Sequence, residues 1–373
     1  MFLALKELIH SKLRFSMIGL IIVLIAWLVF ILSGLGNGLS TLAAATLKNM
    51  DADYLVYEQG SSFSFNKSLL SESMQKDLED FDNVKAVTTF SQLSGAVLPE
   101  GGKETDAKKD ISVLGIEAGS FIEPAVIEGK ALNPSDKSGV IVNETLKDDG
   151  YKLGDKMYLD GSEAVLTIVG FVENETFNHL PSVFMNMDEF RAIKYAAPGS
   201  DNGVGDAVNA FVLQGENIVA EDIDKSFDRV ETATKQEAVS GMPGYKEESG
   251  TIMMMLAFLV VISAFVIAVF FYVLTIQKTQ QFGVMKAIGA SNGFIAKAIV
   301  SQVFVLSLVA ILVGVALTYL TAMVFPEGMP FKLDPTMVAT YSVLLLFISI
   351  LSSLFSVRRI TKIDPLTALG RVE

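Results

Sequence analysis

Cysteine is absent from this 373-residue sequence, tryptophan occurs once and histidine twice. Without cysteine there is no disulfide framework, no thiolate metal centre and no cysteine nucleophile. The two histidines, His10 and His179, lie far apart, and a lone His179 in the loop "FNHLPS" reads as a surface residue. The phosphate-cradling pattern G-x-x-x-x-G-K-[ST] is missing as well, so the chain does not carry a P-loop ATPase. No catalytic constellation is visible, which argues against an enzyme. Charge is also scarce, at 19% of residues.

Apolar residues are plentiful at 51%, with a mean hydropathy of +0.45. They are also concentrated. Residues 15–47, 249–277, 298–326 and 335–357 contain no charged side chain. Each run exceeds the roughly 20 residues that a helix needs to cross a hydrocarbon core of about 30 Å. Four transmembrane helices are expected. The first run has Lys6, Lys12 and Arg14 before it and Ala43-Ala44-Ala45 near its end, which imitates a cleaved leader. Its apolar core is longer than the roughly 7–15 residues of a signal peptide, so it reads as a span.

Charge sets the orientation. The two terminal segments and the connection between the second and third spans hold ten Lys/Arg (Lys6, Lys12, Arg14, Lys278, Lys286, Lys297, Arg358, Arg359, Lys362, Arg371) against Glu7, Asp364 and Glu373. The positive-inside rule makes these segments and both termini cytoplasmic. Residues 37–250 then lie outside, with 18 Lys/Arg against 37 Asp/Glu. So acidic a domain argues against nucleic acid as a partner.

The expected order is an amphipathic cytoplasmic helix (1–14), a first span (15–36), an extracellular α+β domain with helical stalks (37–250), a second span (251–276), a cytoplasmic connection (277–297), a third span (298–325), a short outer loop (326–335), a fourth span (336–357) and a cytoplasmic tail (358–373). At the N-terminus, Leu5, Leu8, Ile9 and Leu13 share one helical face. In the domain, "DYLVY", "VTTFSQL", "DISVLGI", "GVIVN", "KMYLD" and "AVLTIVGFV" read as strands, with Asp160-Gly161 as a hairpin turn. "LLSESMQKDLEDF" reads as a helix capped by Ser71, and residues 220–245 as helix-rich. The domain has room for two lobes. Gly34 and Gly38 are four apart in the first span, a spacing that allows close helix contact and suits a homodimer interface; a flexible exit from the bilayer fits equally well.

One span, a large outer domain, then three spans with "TIQKTQQFGVMKAIGAS" after the second and "RRITKIDPLTALG" near the end resembles the MacB/FtsX-type permeases of ABC transporters. Within that family the chain is similar to the heme-exporting HrtB permeases of Gram-positive bacteria, through "LALKE", "SGL", "FFYVLTIQKTQQFGVMKAIGA", "MPF" and "DPLTALGRVE". The resemblance covers essentially the whole chain. It implies a MacB-like (type VII ABC) architecture in the bacterial cytoplasmic membrane. It also implies a homodimer served by two copies of a separate cytoplasmic ATPase that binds ATP and magnesium.

In such permeases the connection after the second span docks on the ATPase. The residues concerned here are Phe282, Gly283, Val284, Met285, Lys286, Ala287, Ile288 and Gly289, with Phe282, Val284, Met285 and Ile288 available to bury, Lys286 exposed and Gly289 as a C-cap. The resemblance also places Glu248 where heme-exporting relatives have an acidic residue that looks like an axial iron ligand. Glu247 and Tyr245 adjoin it, Met253, Met254, Met255 and Phe258 could pack a porphyrin, and Tyr272 is a further oxygen donor. Read as ordinary residues, these acids are solvated and these methionines pack in a span. The implied function is heme efflux, with heme as cargo and no intrinsic cofactor. An exporter of an antimicrobial peptide, antibiotic or lipid-like cargo, and an FtsX-like signalling subunit that moves nothing, are the alternatives.

Overall fold

The computed structural model of the protein describes residues 12–99, 108–326 and 329–360. They form two compact units, one spanning Leu39–Ser249 and the other made of the chain before Leu39 and after Ser249. The expected helix over 1–14 falls almost wholly outside the described residues, as does nearly all of the tail after Arg359.

The α+β unit is built on β1 (Tyr54–Glu58), β2 (Leu70–Ser71), β3 (Val84–Pro99), β4 (Lys109–Ile116), β5 (Val126–Gly129), β6 (Gly139–Asn143), β7 (Lys156–Leu159), β8 (Val165–Val172), β9 (Thr176–Phe177), β10 (Leu180–Asn186), β11 (Ala207–Val208), β12 (Ala210–Gly215) and β13 (Val230–Thr234). The main sheet runs β13-β1-β12-β3-β4-β10-β6-β8-β5, with β7 joined to β3 and β8, and β9 to β10. Pairing is antiparallel except for β4 with β10 and β6 with β8. The sheet is buried on both faces. In β12, Phe211 and Leu213 enter one core while Ala210 and Val212 enter the other, as the two-residue period of a strand requires. Such strands read as continuous apolar runs rather than alternating ones.

All six expected runs are strands, and Asp160-Gly161 turns β7 into antiparallel β8 with Gly161 at φ 75°. The sheet is continuous, so the domain is one unit rather than two lobes. Two helical expectations are refined. Leu70 and Ser71 form a strand paired with Ala207 and Val208. Ser71 caps the following turn as expected, its side chain accepting from Ser73 N, but Glu72–Met74 is a 3-10 turn and the α-helix is only Gln75–Glu79. The Ser71 hydroxyl also donates to Asp206 at 2.8 Å. Residues 220–245 are split by β13, which pairs along all five residues of β1. Arg229, at φ 67°, turns the chain into that strand.

The other unit holds the apolar helices. Among the described residues, four helices are long and apolar enough to cross a membrane, over Phe15–Asn49, Tyr245–Gln277, Asn292–Ala322 and Pro335–Phe355. The whole first helix, Lys12–Asn49, has 38 residues, roughly 57 Å at 1.5 Å per residue, well beyond the hydrocarbon core. Ile22, Ala26, Phe30, Phe271, Ile311 and Leu345 lie in the shared core of this unit. Close packing is visible at Gly314, where a Cβ would stand 2.9 Å from the Ala26 Cβ. The single tryptophan, Trp27, donates its indole N–H to Thr321 Oγ1 at 3.1 Å.

Candidate functional site

The first helix loses its regular backbone at Ala44 (φ −143°, ψ 23°). The i to i−4 bonds that would span this residue are those accepted by the carbonyls of Thr41, Leu42 and Ala43. Those three carbonyls accept hydrogen bonds from a β-hairpin. Asn178 N donates to Ala43 O at 2.7 Å and His179 N to Leu42 O at 3.1 Å. Thr176 Oγ1 donates to Thr41 O at 3.3 Å. The hairpin joins β9 to β10, with Phe177 opposite Leu180. Asn178 and His179 are its two turn residues, at φ 54° and 64°. Positive φ at both positions is what a type I′ turn needs, and asparagine tolerates it well.

This turn fixes where the His179 side chain stands. Its Nε2 lies 3.2 Å from Glu248 Oε2, with 41% and 26% of the two side chains exposed. The surface reading of His179 is therefore incomplete: the imidazole is half open, but it is aimed at the proposed cargo carboxylate. Glu248 sits in the first turn of the second long helix, its amide bonded to Gly244 O. Tyr245 is half-buried in the same turn, with its hydroxyl 2.9 Å from Ser40 Oγ. Lys48 donates to Ser40 Oγ and lies 5.2 Å above the Tyr245 ring. Glu247 is exposed, as a neighbour about 100° around the helix from Glu248 should be. Tyr272 lies in the other unit.

Nearby, Glu175 is 5% exposed and accepts from Asn49 Nδ2 at 3.1 Å. Burial raises its pKa, against the opposing hydrogen bonds from Asn49 and Thr46. No cluster of three His, Cys, Asp or Glu suited to a metal ion occurs among the described residues.

In the other unit, Met253, Met254 and Phe258 are exposed at 73%, 54% and 62% on the second helix, and Phe265 at 72% continues that surface. The glycine spacing in the first span has an intramolecular use. A Cβ at Gly34 would stand 2.4 Å from the Phe331 ring, and one at Gly38 would stand 2.2 Å from Pro330 O. The chain's own "MPF" segment therefore lies against both glycines.

The connection after the second span is a helix, Thr279–Ala287. Beyond it Gly289 adopts φ 97°. Gly289 N bonds Lys286 O and Ala290 N bonds Met285 O. This is a Schellman ending, for which glycine is the suited residue. The helix has two faces. Phe282 and Gly283 are buried and Met285 and Lys286 half-buried, whereas Val284, Ala287 and Ile288 are exposed. Val284, Ala287 and Ile288 share the uncovered face, so Val284 and Ile288 remain available to bury against another subunit, while Lys286 is half-buried within this chain. At its start, buried Lys278 donates to Gln302 Oε1 at 3.1 Å and lies 5.0 Å from the Phe15 ring centre.

An α+β domain inserted after the first of four membrane helices, with a short capped helix after the second, is the architecture of an ABC transporter permease. Residues 15–226 match the family model of the MacB-like periplasmic core domain, and residues 253–365 match that of the FtsX-like permease C-terminal region. The chain belongs to the MacB/FtsX family of ABC transporter permeases. It is 26% identical over 368 residues to a Staphylococcus epidermidis protein whose name describes a hemin transport system permease, HrtB, covering 99% of both chains. A protein of the same name from Staphylococcus haemolyticus is 24% identical over 371 residues, covering 100% of this chain and 99% of that one. An uncharacterised ABC transporter permease of Mycobacterium bovis is 25% identical over 372 residues, covering 99% of each.

Proposed function

We propose that this permease exports heme, powered by a separate cytoplasmic ATPase. The observation that carries the reading is the Glu248 carboxylate, paired with His179 at 3.2 Å at the start of the second long helix. A carboxylate oxygen is a suitable donor to ferric iron, and the full-length likeness to permeases named for hemin transport supports that cargo. The ATPase docks on the Val284, Ala287 and Ile288 face of the connecting helix, which is apolar and uncovered. The working unit is a homodimer with two ATPase copies, and the exposed aromatic and aliphatic surface of the second helix supports a partner there. The test is a hemin titration of the purified chain. Wild type should develop a Soret band that saturates, and Glu248→Ala should lose it. An unchanged band in Glu248→Ala removes this reading and favours a peptide or lipid cargo.

A further inference from the structure

We infer that His179 is a positioning residue of the cargo site: its Nε2–H holds Oε2 of Glu248 and leaves Oε1 to meet the iron of the cargo. The inference rests on the heme reading of Glu248 and extends it to a residue far from it in the sequence.

Three observations carry it. The first is the 3.2 Å approach of Nε2 to Oε2, a donor-to-carboxylate distance. The second is that the histidine is held by its backbone rather than by its side chain. Its amide is bonded to Leu42 O and that of Asn178 to Ala43 O, in a turn with positive φ at both residues. A side chain placed that way is set before any cargo arrives, which is the condition for orienting a ligand. The third is that Glu248 lies on a helical first turn whose Tyr245 is itself tied to Ser40, so the second partner is also fixed.

The chemistry follows from the number of oxygens. A free carboxylate can bind iron through either oxygen or through both. A hydrogen bond to one oxygen leaves the other as a single donor, oriented before the cargo arrives. Groups that hold a metal ligand in this way commonly change metal affinity by about 10–100-fold when removed.

The test uses the full-length chain in detergent, titrated with hemin and read by the Soret and ferric charge-transfer bands. Four variants are compared: Glu248→Ala, His179→Ala, His179→Asn and His179→Gln. Asparagine keeps the left-handed turn but is too short to reach Glu248. Glutamine brings an amide N–H to a similar reach. Expected results are no saturable band in Glu248→Ala, affinity about 10–100-fold lower with a shifted charge-transfer band in His179→Ala and His179→Asn, and substantial recovery in His179→Gln. If Glu248→Ala loses binding while His179→Asn matches wild type in affinity and spectrum, the positioning role is overturned and the heme site at Glu248 stands. If Glu248→Ala binds as wild type does, the site reading and this inference both fail. Loss of binding confined to the His179 variants would make the imidazole the ligand itself, contradicting the role assigned here.

Discussion

Ser40 Oγ lies 2.9 Å from the Tyr245 hydroxyl, and Lys48 completes the group by donating to Ser40 Oγ at 2.7 Å. The last turns of the first long helix and the first turn of the second are thereby pinned together within the α+β unit. Tyr245→Phe keeps the ring and deletes the hydrogen bond, so stability should fall by about 0.5–1.5 kcal/mol. Lys48→Met should cost a comparable amount, since the contact with the Tyr245 ring goes too. Thermal unfolding of the purified chain checks this, and equal midpoints for wild type and Tyr245→Phe would deny the hydrogen bond a role.

The two faces of the connecting helix should separate folding from docking. Ile288 is 81% exposed and Phe282 only 6%. Ile288→Glu should leave stability within about 0.5 kcal/mol of wild type and abolish co-purification of the ATPase. Phe282→Ala should cost about 3–5 kcal/mol by leaving a cavity. Gly283 is buried as well, so a bulky charge there would damage the fold and test nothing about docking. Normal ATPase binding by Ile288→Glu would move the docking surface elsewhere.

Lys194 gives the α+β unit a pH signature. Burial pushes its ammonium down to about 8, even though Nζ donates to Gln92 O and Asn209 Oδ1. Between about 8 and the ordinary 10.5, the folded protein has released this proton while the unfolded chain retains it. The unfolded state then binds more protons, and stability rises with pH across that window. The stability difference between wild type and Lys194→Met should therefore shift in favour of wild type between pH 7 and pH 10. Denaturant unfolding at the two pH values measures it, and a constant difference would contradict the buried, depressed lysine.

The absence of native cysteine makes the proposed homodimer easy to examine. Phe265→Cys, at a position 72% exposed on the second helix, should give a disulfide between two copies in membranes. Gly34→Cys and Gly38→Cys should not, since Phe331 and Pro330 of the same chain occupy that space. Crosslinking from the glycine positions alone would restore the first helix as the contact.

Much of the architecture was legible because it rests on local signals. The apolar runs are long, and strands such as β6 and β8 are rich in β-branched residues between turn formers. β13 was harder to read: "VETAT" is short and polar, and only its pairing with β1 makes it a strand. Glu248 was reached through resemblance. Its partner was not, because His179 arrives through a turn held by the carbonyls of Leu42 and Ala43 beside the irregular Ala44, a tertiary contact with no local pattern. The one available sign was asparagine before histidine between two short strands, a sequence compatible with a left-handed turn. The spacing of Gly34 and Gly38 correctly indicated close approach but could not say to what.

Heme export itself is tested most directly by measuring cell-associated heme in the source bacterium grown with hemin, with the permease deleted and then restored. The account predicts that deletion raises cellular heme and halts growth, that wild type reverses both, and that Glu248→Ala produced at the same level reverses neither. A deletion strain that grows and accumulates heme like its parent would contradict it.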